Sequence, residues 1–95
     1  MVNAFIANEK DDVVTVLEPV NAGDTVTYLL QGEELSFTAL DNVPKYHKVA
    51  RREVGADRHL IKYGEVIGLT TADIHTGNHV HTQNLTDVPR EEAMK

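Results

Sequence analysis

Residues 20–26, Val20-Asn21-Ala22-Gly23-Asp24-Thr25-Val26, place an apolar residue on each side of a short polar turn. The fourth position is Gly23, and glycine adopts a positive φ without steric cost because it lacks a Cβ atom. The pattern predicts a buried anchor, a tight turn and a second anchor that begins a strand. It recurs with the same spacing at residues 43–49 (VPKYHKV), 54–60 (VGADRHL) and 74–80 (IHTGNHV). Four such turn units predict a compact β fold whose strands fold back on one another.

The residue at the fourth position differs between the four units. Gly77 occupies it in the last unit, Asp57 in the third and Tyr46 in the second. Aspartate tolerates a positive φ, whereas tyrosine adopts one poorly. The second unit is therefore predicted either as a tight turn or as a helical turn, and residues 45–52 either as a helical turn or as a strand.

Runs of β-branched and alternating apolar residues predict the strands. The predicted strands are Val13–Leu17, Thr25–Leu30, Leu35–Leu40, Leu60–Tyr63, Val66–Thr70 and His79–Leu85. No segment carries a long apolar stripe of helical period, so the fold class is predicted to be mostly β, a small single domain of short strands and tight turns. The expected division is residues 1–12 as an N-terminal loop or first strand, 13–86 as the domain, and 87–95 as a charged tail with one helical turn.

Composition excludes several classes of partner and location. A formal net charge of −6 argues against nucleic acid and against anionic membranes, because phosphate binding depends on lysine and arginine. The chain has no cysteine, which removes disulfides and thiolate metal sites and favours the cytoplasm. No apolar run approaches the roughly 20 residues of a membrane span, and the N-terminus lacks a signal-peptide core. A cytoplasmic domain is expected.

Three motifs in the second half of the chain occur together and in order. They are ALDNVPKYHKVA (residues 39–50), IKYGEVIG (residues 61–68) and TADIHTGNHVHTQNL (residues 71–85). With the turn units, they resemble the N-terminal SAF domain of the altronate/galactarate dehydratase family. The resemblance is strong over residues 39–85 and looser over residues 13–38. It implies a SAF-type, β-clip-like fold.

The chain departs from the family pattern at two positions. The closing motif of the family has a second histidine where this chain has Gln83, and a neutral amide is a poor ligand for a transition metal. Tyr46 replaces the glycine usual before His47-Lys48. Against the first departure, His79 restores a pair of histidines two residues apart, with His81.

The stretch HTGNHVHTQN, residues 75–84, holds three of the five histidines of the chain. On a strand, residues two apart point the same way, so His79, His81 and Gln83 would share one face. That face is either a solvated edge or part of a site. The resemblance favours a site for His81, whereas solvated edge and site remain equal alternatives for His79. A metal site needs three or four ligands, so this pair would need ligands from another chain.

The resemblance also implies roles for individual residues. Catalytic roles are expected for His47, Lys48, Lys62 and His81, substrate binding for Lys62 and Asn84, and metal binding for His79 and His81. Lysine can bind the carboxylate of a sugar acid, and histidine is the usual acid or base near neutral pH. The alternative for His47 and Lys48 is ordinary surface exposure. Other polar residues are expected to be solvated or at the surface: His59, His75, Arg51, Arg52, Arg58 and the acidic run 9–12.

The implied activity is that of a lyase. A sugar-acid dehydratase removes a proton α to a carboxylate and expels a β-hydroxyl group, which requires a base, a cation and an acid. In the family the SAF domain precedes a much larger catalytic portion with a divalent metal, Fe²⁺ or Mn²⁺. The chain is therefore expected to be a small subunit that completes the metal site with a large dehydratase subunit. The alternatives are the small subunit of a sulfolactate sulfo-lyase, whose substrate is a related α-hydroxy acid, and a non-catalytic SAF binding or assembly module.

Overall fold

The computed structural model describes residues 1–89, which form short β-strands and no helix. The strands are β1 (Ala4–Phe5), β2 (Val13–Val16), β3 (Thr25–Leu30), β4 (Glu33–Thr38), β5 (Lys48–Ala50), β6 (His59–Lys62), β7 (Glu65–Thr70), β8 (His79–Val80) and β9 (Leu85–Thr86). The predicted mostly β fold class is confirmed. No helix of the described part of the chain is long and apolar enough to cross a membrane.

The strands form three antiparallel sheets. A central sheet has the order β1-β2-β5-β8, β3 and β4 form a hairpin, and β6, β7 and β9 form the third sheet. In the central sheet Val14 lies opposite Val49, and Val49 lies opposite His79. The central sheet therefore brings together segments that are far apart in the sequence.

The central sheet separates two hydrophobic cores. Because side chains alternate along a strand, Val13 and Val14 point to opposite faces, and each is buried in a different core. The first core is formed by Ala4, Ile6, Val14, Val16, Val20, Val26, Tyr28, Ala39, Val43 and Val49. The second is formed by Val13, Ala50, Leu60, Ile74 and Val80. Burial on both faces explains why β2 is an unbroken run of apolar and β-branched residues.

All four turn units form as tight turns. The fourth residues Gly23, Tyr46, Asp57 and Gly77 all have a positive φ, between 58° and 95°. The first anchors pair across the fold, Val20 with Val43 and Val54 with Ile74. The helical alternative for the second unit is therefore wrong, and the strand alternative for residues 45–52 is confirmed by β5.

The predicted strand His79–Leu85 is interrupted. It ends at Val80, and a turn over residues 81–84 leads into β9. Asn84 closes this turn: its Oδ1 accepts a hydrogen bond from the His81 amide at 3.0 Å, and its Nδ2 donates one to the His79 carbonyl oxygen at 2.8 Å. Side-chain hydrogen bonds of asparagine offer the backbone an alternative to the sheet ladder. The alternation of polar and apolar residues therefore did not predict the turn over residues 81–84.

The acidic run 9–12 is solvated only in part: Glu9 and Lys10 are exposed, as expected, whereas Asp11 and Asp12 are buried. Asp11 is fully buried and accepts hydrogen bonds from the amides of Asn8 and Gly64. Arg51 and Arg52 each donate to the Asp11 carbonyl oxygen, at 2.8 Å and 2.9 Å. These charged residues connect the N-terminal segment to the rest of the domain, because buried backbone amides and carbonyl groups need hydrogen-bond partners. Of the predicted tail, residues 87–89 form no helix or strand, and residues 90–95 lie outside the described residues.

Candidate functional site

Three histidines from separate parts of the chain meet at one end of the central sheet. The ring centroids of His47 and His79 are 5.2 Å apart, those of His47 and His81 are 4.6 Å apart, and those of His79 and His81 are 5.7 Å apart. One nitrogen of each ring lies within 4.8 Å of the others. We call His47, His79 and His81 the histidine cluster.

Strand register brings His47 and His79 together. Val49 lies opposite His79, and His47 precedes Val49 by two residues, so His47 and His79 point to the same face. His81 reaches the same face from the turn that follows β8. The predicted continuous strand is wrong here, but His79 still contacts both His81 and Gln83, because a turn places them.

A chain of hydrogen bonds orients the rings. Gln83 Nε2 lies 3.1 Å from the His79 carbonyl oxygen and 3.2 Å from His79 Nδ1. The carbonyl oxygen only accepts, so this amide nitrogen donates to both atoms, and the proton of neutral His79 is on Nε2. His79 Nε2 lies 2.9 Å from His47 Nδ1 and donates to it. The residue that replaces the expected histidine thus selects the tautomer of two imidazoles.

The environment of His79 favours its neutral form. Burial lowers the pKa of His79, and the nearby charges of His47, His81 and Lys48 lower it further. The carboxylate of Asp41 opposes these effects. His79 is thus held as a neutral imidazole, the form that accepts a proton or binds a metal ion.

Asp41 positions β8, a role that the sequence did not indicate. Its Oδ2 accepts hydrogen bonds from the His79 amide at 2.9 Å and from Asn78 Nδ2 at 3.0 Å. Asp41 lies in the DNVP motif just after β4, and this motif position was the only feature of the sequence that could have indicated its role. The partner lies 38 residues further along the chain.

Lys48 borders the histidine cluster. Lys48 and His81 line an open pocket of about 360 Å³, together with Thr82, Thr86, Asp87 and the apolar residues Ile67 and Leu85. Burial lowers the pKa of Lys48, and the charge of Lys62 lowers it further. The structure therefore brings together three of the residues that were predicted to be catalytic, His47, Lys48 and His81. Lys62 is linked to them only by the effect of its charge on the pKa of Lys48, so its catalytic role stays a prediction.

Comparison with known protein families gives a match over most of the chain. The family model of the altronate/galactarate dehydratase SAF domain matches residues 2–88. The chain belongs to this family. The resemblance of the three sequence motifs is thereby confirmed, and the match extends over the N-terminal segment as well.

The SAF domain has two kinds of relatives. It is 36% identical over 85 residues to the (2R)-sulfolactate sulfo-lyase subunit alpha of Chromohalobacter salexigens, which covers 85% of this chain and 90% of that subunit. It is 27% identical over 77 residues to the altronate dehydratase of Bacillus subtilis, which covers 81% of this chain. The match is only 15% of that dehydratase. The domain is thus similar to a separate small subunit and to a minor part of a larger enzyme.

The histidine cluster of the SAF domain fits a divalent transition-metal ion. Imidazole nitrogens bind such ions at about 2.0–2.1 Å, so adjacent ligands of an octahedral ion are about 3 Å apart. The 2.9 Å separation of His47 Nδ1 and His79 Nε2 has this size, and an ion bound there would displace the proton that the two nitrogens share. His81 is exposed, which leaves the outer side of the cluster open to further ligands. His47, predicted as a catalytic residue, thus joins the predicted ligands His79 and His81 as a third donor.

The remaining predicted residues have clear positions. Both polar groups of the Asn84 side chain bond to the backbone of its own turn, which favours a positioning role; substrate binding by Asn84 stays a prediction. Lys62 Nζ lies 4.7 Å from the centroid of the exposed Tyr63 ring. His75 is exposed, as expected, and its Nδ1 lies 2.6 Å from Glu53 Oε1. It lies outside the cluster.

Proposed function

We propose that this SAF domain is the small subunit of a lyase that eliminates a β-substituent from an α-hydroxy acid. In this proposal the domain contributes substrate and metal residues to a site that a large catalytic subunit completes. The observation that carries the proposal is the meeting of His47, His79 and His81 beside Lys48 at an open surface. The cluster supplies three imidazole ligands, and in this proposal the partner supplies the remaining ones.

The residues of the domain can perform three parts of such a reaction. The ammonium groups of Lys48 and Lys62 bind the substrate carboxylate, whose charge they complement. A neutral imidazole of the cluster accepts a proton, and a protonated one donates to the leaving group. A bound Fe²⁺ or Mn²⁺ ion would polarise oxygen atoms of the substrate and stabilise the negative charge that develops. His79 and His81 would hold this ion, with His47 either a third ligand or the acid–base group that the ion leaves free.

The first candidate substrate class is the sugar acids, from which a β-hydroxyl group leaves as water. This class follows from the altronate dehydratase relatives of the SAF domain. The domain would then be a sugar-acid dehydratase subunit that acts together with a large dehydratase subunit. A cytoplasmic location remains part of this proposal.

A second candidate is supported by chain length. The sulfolactate sulfo-lyase subunit alpha of Chromohalobacter salexigens matches this domain over 90% of its length, and that of Paracoccus pantotrophus is 41% identical over 51 residues. In this case sulfite leaves instead of water. Both reactions need an anion-binding pocket and removal of the α-proton, so the same residues serve either one.

The test is reconstitution with the large subunit. The domain alone, the large subunit alone and their mixture are assayed with sugar acids and with sulfolactate, in the presence of Fe²⁺ or Mn²⁺. Turnover only in the mixture supports the proposal, and the substrate that reacts selects between the two candidates. Full turnover by the large subunit alone would instead identify the domain as a non-catalytic module.

The site assignment is tested in the same assay with single substitutions. His47→Ala, Lys62→Ala and His81→Ala should each reduce turnover by at least about a hundredfold, the usual size of an acid–base contribution. His75→Ala is the matched control, because His75 is exposed and lies outside the cluster. Full activity of the first three variants would contradict the site while leaving the partnership intact.

A further inference from the structure

Tyr46 has a positive φ, a backbone conformation that costs less free energy for glycine than for tyrosine. Its φ is 68°, in the left-handed region, and the corresponding positions of the first and fourth turn units are Gly23 and Gly77. A side chain with a Cβ atom is strained in this region, and a bulky side chain is more strained than a small one. The choice of tyrosine therefore destabilises the turn.

The Tyr46 side chain makes few contacts that would stabilise the fold. It is 64% exposed, and its ring lies under the ammonium group of Lys45, which is 4.8 Å from the ring centroid. Tyr46 is also absent from the residues that form or line the two hydrophobic cores. Backbone strain that no side-chain packing offsets points to a role of Tyr46 outside the isolated domain.

The position of Tyr46 indicates where that role lies. Tyr46 directly precedes His47 of the histidine cluster, and its amide donates to the Val16 carbonyl oxygen at 2.8 Å. The residue after Val16 is Leu17, an exposed apolar residue. Tyr46 is thus next to His47 in the sequence, and its backbone is bonded to the residue before the exposed Leu17. Tyrosine is enriched at the centres of protein interfaces.

A second tyrosine shows the same combination independently. Tyr63 has a φ of 58° and is 63% exposed. It directly follows Lys62, whose charge reaches Lys48 at the site. Two exposed tyrosines with a positive φ therefore directly adjoin, in the sequence, residues that were predicted to be catalytic.

We infer that Tyr46 is a docking residue for the large catalytic subunit and that the subunit interface closes over the histidine cluster. This inference rests on the proposed function. It explains why a ligand set that is incomplete in the domain borders an aromatic surface, because the partner has to approach the cluster to complete it. In the altronate dehydratase of Bacillus subtilis, the matched region is 15% of the protein, which leaves a large remainder to provide such a partner surface.

The inference predicts opposite effects of one substitution on stability and on binding. Tyr46→Gly should raise the urea midpoint of the isolated domain, because the strain is removed, and should weaken binding to the large subunit at least tenfold. Tyr46→Asn tests the same point with a side chain that tolerates a positive φ. Asp57→Gly is the matched control: Asp57 has a φ of 58° at the same place in the third unit, so its binding should match that of the wild type.

Binding is measured by calorimetry with the purified large subunit, and turnover is measured at increasing concentrations of that subunit. Variants of a docking residue should recover wild-type turnover at saturation. Unchanged binding by both Tyr46 variants, with binding by the wild type intact, would overturn the inference and leave the proposed function standing. A lower urea midpoint for Tyr46→Gly would also overturn it, because Tyr46 would then stabilise the fold. No binding by the wild type would overturn the proposed function itself.

Discussion

His79 is the most constrained side chain of the histidine cluster, because Gln83, His47 and His81 all contact its ring. Burial and the neighbouring charges lower its pKa below the ordinary value of 6.5. The pKa of His75, in contrast, is raised by the hydrogen bond and the charge of Glu53. One domain therefore carries two histidines that deviate in opposite directions.

The two histidines should titrate at different pH values, whereas two free imidazoles would titrate together. In an NMR titration of the metal-free domain, we expect the His79 ring to take up its proton below pH 6.5 and the His75 ring above it. Since the unfolded chain binds a proton at position 79 before the folded chain does, the contribution of His79 to stability is complete above pH 6.5 and is lost as the pH falls. His75 has the opposite sign: its contribution is complete below pH 6.5 and is lost as the pH rises through its folded pKa. Coincident titration curves would contradict this prediction.

Metal binding should depend on each member of the histidine cluster. We expect His47→Ala, His79→Ala and His81→Ala each to weaken binding of Mn²⁺ or Fe²⁺ at least tenfold, because each removes one of three donors. Calorimetry under anaerobic conditions measures the affinity. The variant His75→Ala should bind the ion as the wild type does, since His75 lies outside the cluster. An unchanged affinity of any of the three cluster variants would remove that residue from the metal site.

At the residue scale, the sequence motifs indicated which residues could carry chemistry, but they did not indicate which residues contact one another. His47, Lys48, Lys62 and His81 were predicted from their motif positions, and the structure brings His47, Lys48 and His81 together. The place of His47 beside the predicted metal ligands was not predicted, because it depends on pairing of β5 with β8. His47 and His79 are 32 residues apart, and the register that joins them is a property of the folded sheet.

At the element scale, the first and fourth turn units share a conformation but differ in their surroundings. Gly23 and Gly77 both have a φ of 95°. A Cβ atom at Gly23 would meet no atom within 4 Å, whereas at Gly77 it would overlap the Thr38 carbonyl oxygen. The fourth turn thus packs its backbone directly against the end of β4, next to the strand that carries His79.

Alanine substitutions at these two glycines should separate strain from packing. Gly23→Ala should lower the free energy of unfolding by about 1–2 kcal/mol, the cost of a left-handed alanine. Gly77→Ala carries the same cost and a backbone overlap, and overpacking adds about 1–3 kcal/mol. Urea denaturation of both variants provides the comparison. Equal destabilisation would show that the close approach at Gly77 does not constrain the turn.

The elements were predictable where their sequence pattern is local. The four turn units and the strands β3 and β7 follow from anchors, glycines and alternation within a few residues. The break after Val80 was not predictable in this way. The segment from His79 to Leu85 alternates as a strand does, but the side chain of Asn84 bonds to the backbone of His79 and His81 and turns the chain.

At the scale of the whole molecule, the central sheet joins the two cores and the candidate site. β2 and β5 contribute residues to both cores, and β5 and β8 lead into the histidine cluster. Stability and site geometry are therefore coupled, because a change that loosens either core acts on the same strands. The N-terminal segment belongs to this arrangement: β1 pairs with β2, and Ala4 and Ile6 are buried in the first core.

Removal of residues 1–12 should therefore unfold the domain, although the sequence suggested a loop or first strand outside the main unit. A chain that starts at Val13 loses two core side chains, and Ile6 alone contributes about 1.5–3 kcal/mol by burial. It also leaves the Gly64 amide without the Asp11 carboxylate. A small domain has a total stability of only about 5–15 kcal/mol, so we expect a poorly dispersed NMR spectrum and no cooperative thermal transition. Removal of Met1 and Val2, which are both exposed, is the matched control and should preserve the spectrum. A cooperative transition near the wild-type temperature in the chain that starts at Val13 would show that β2, β5 and β8 hold the histidine cluster without their N-terminal edge.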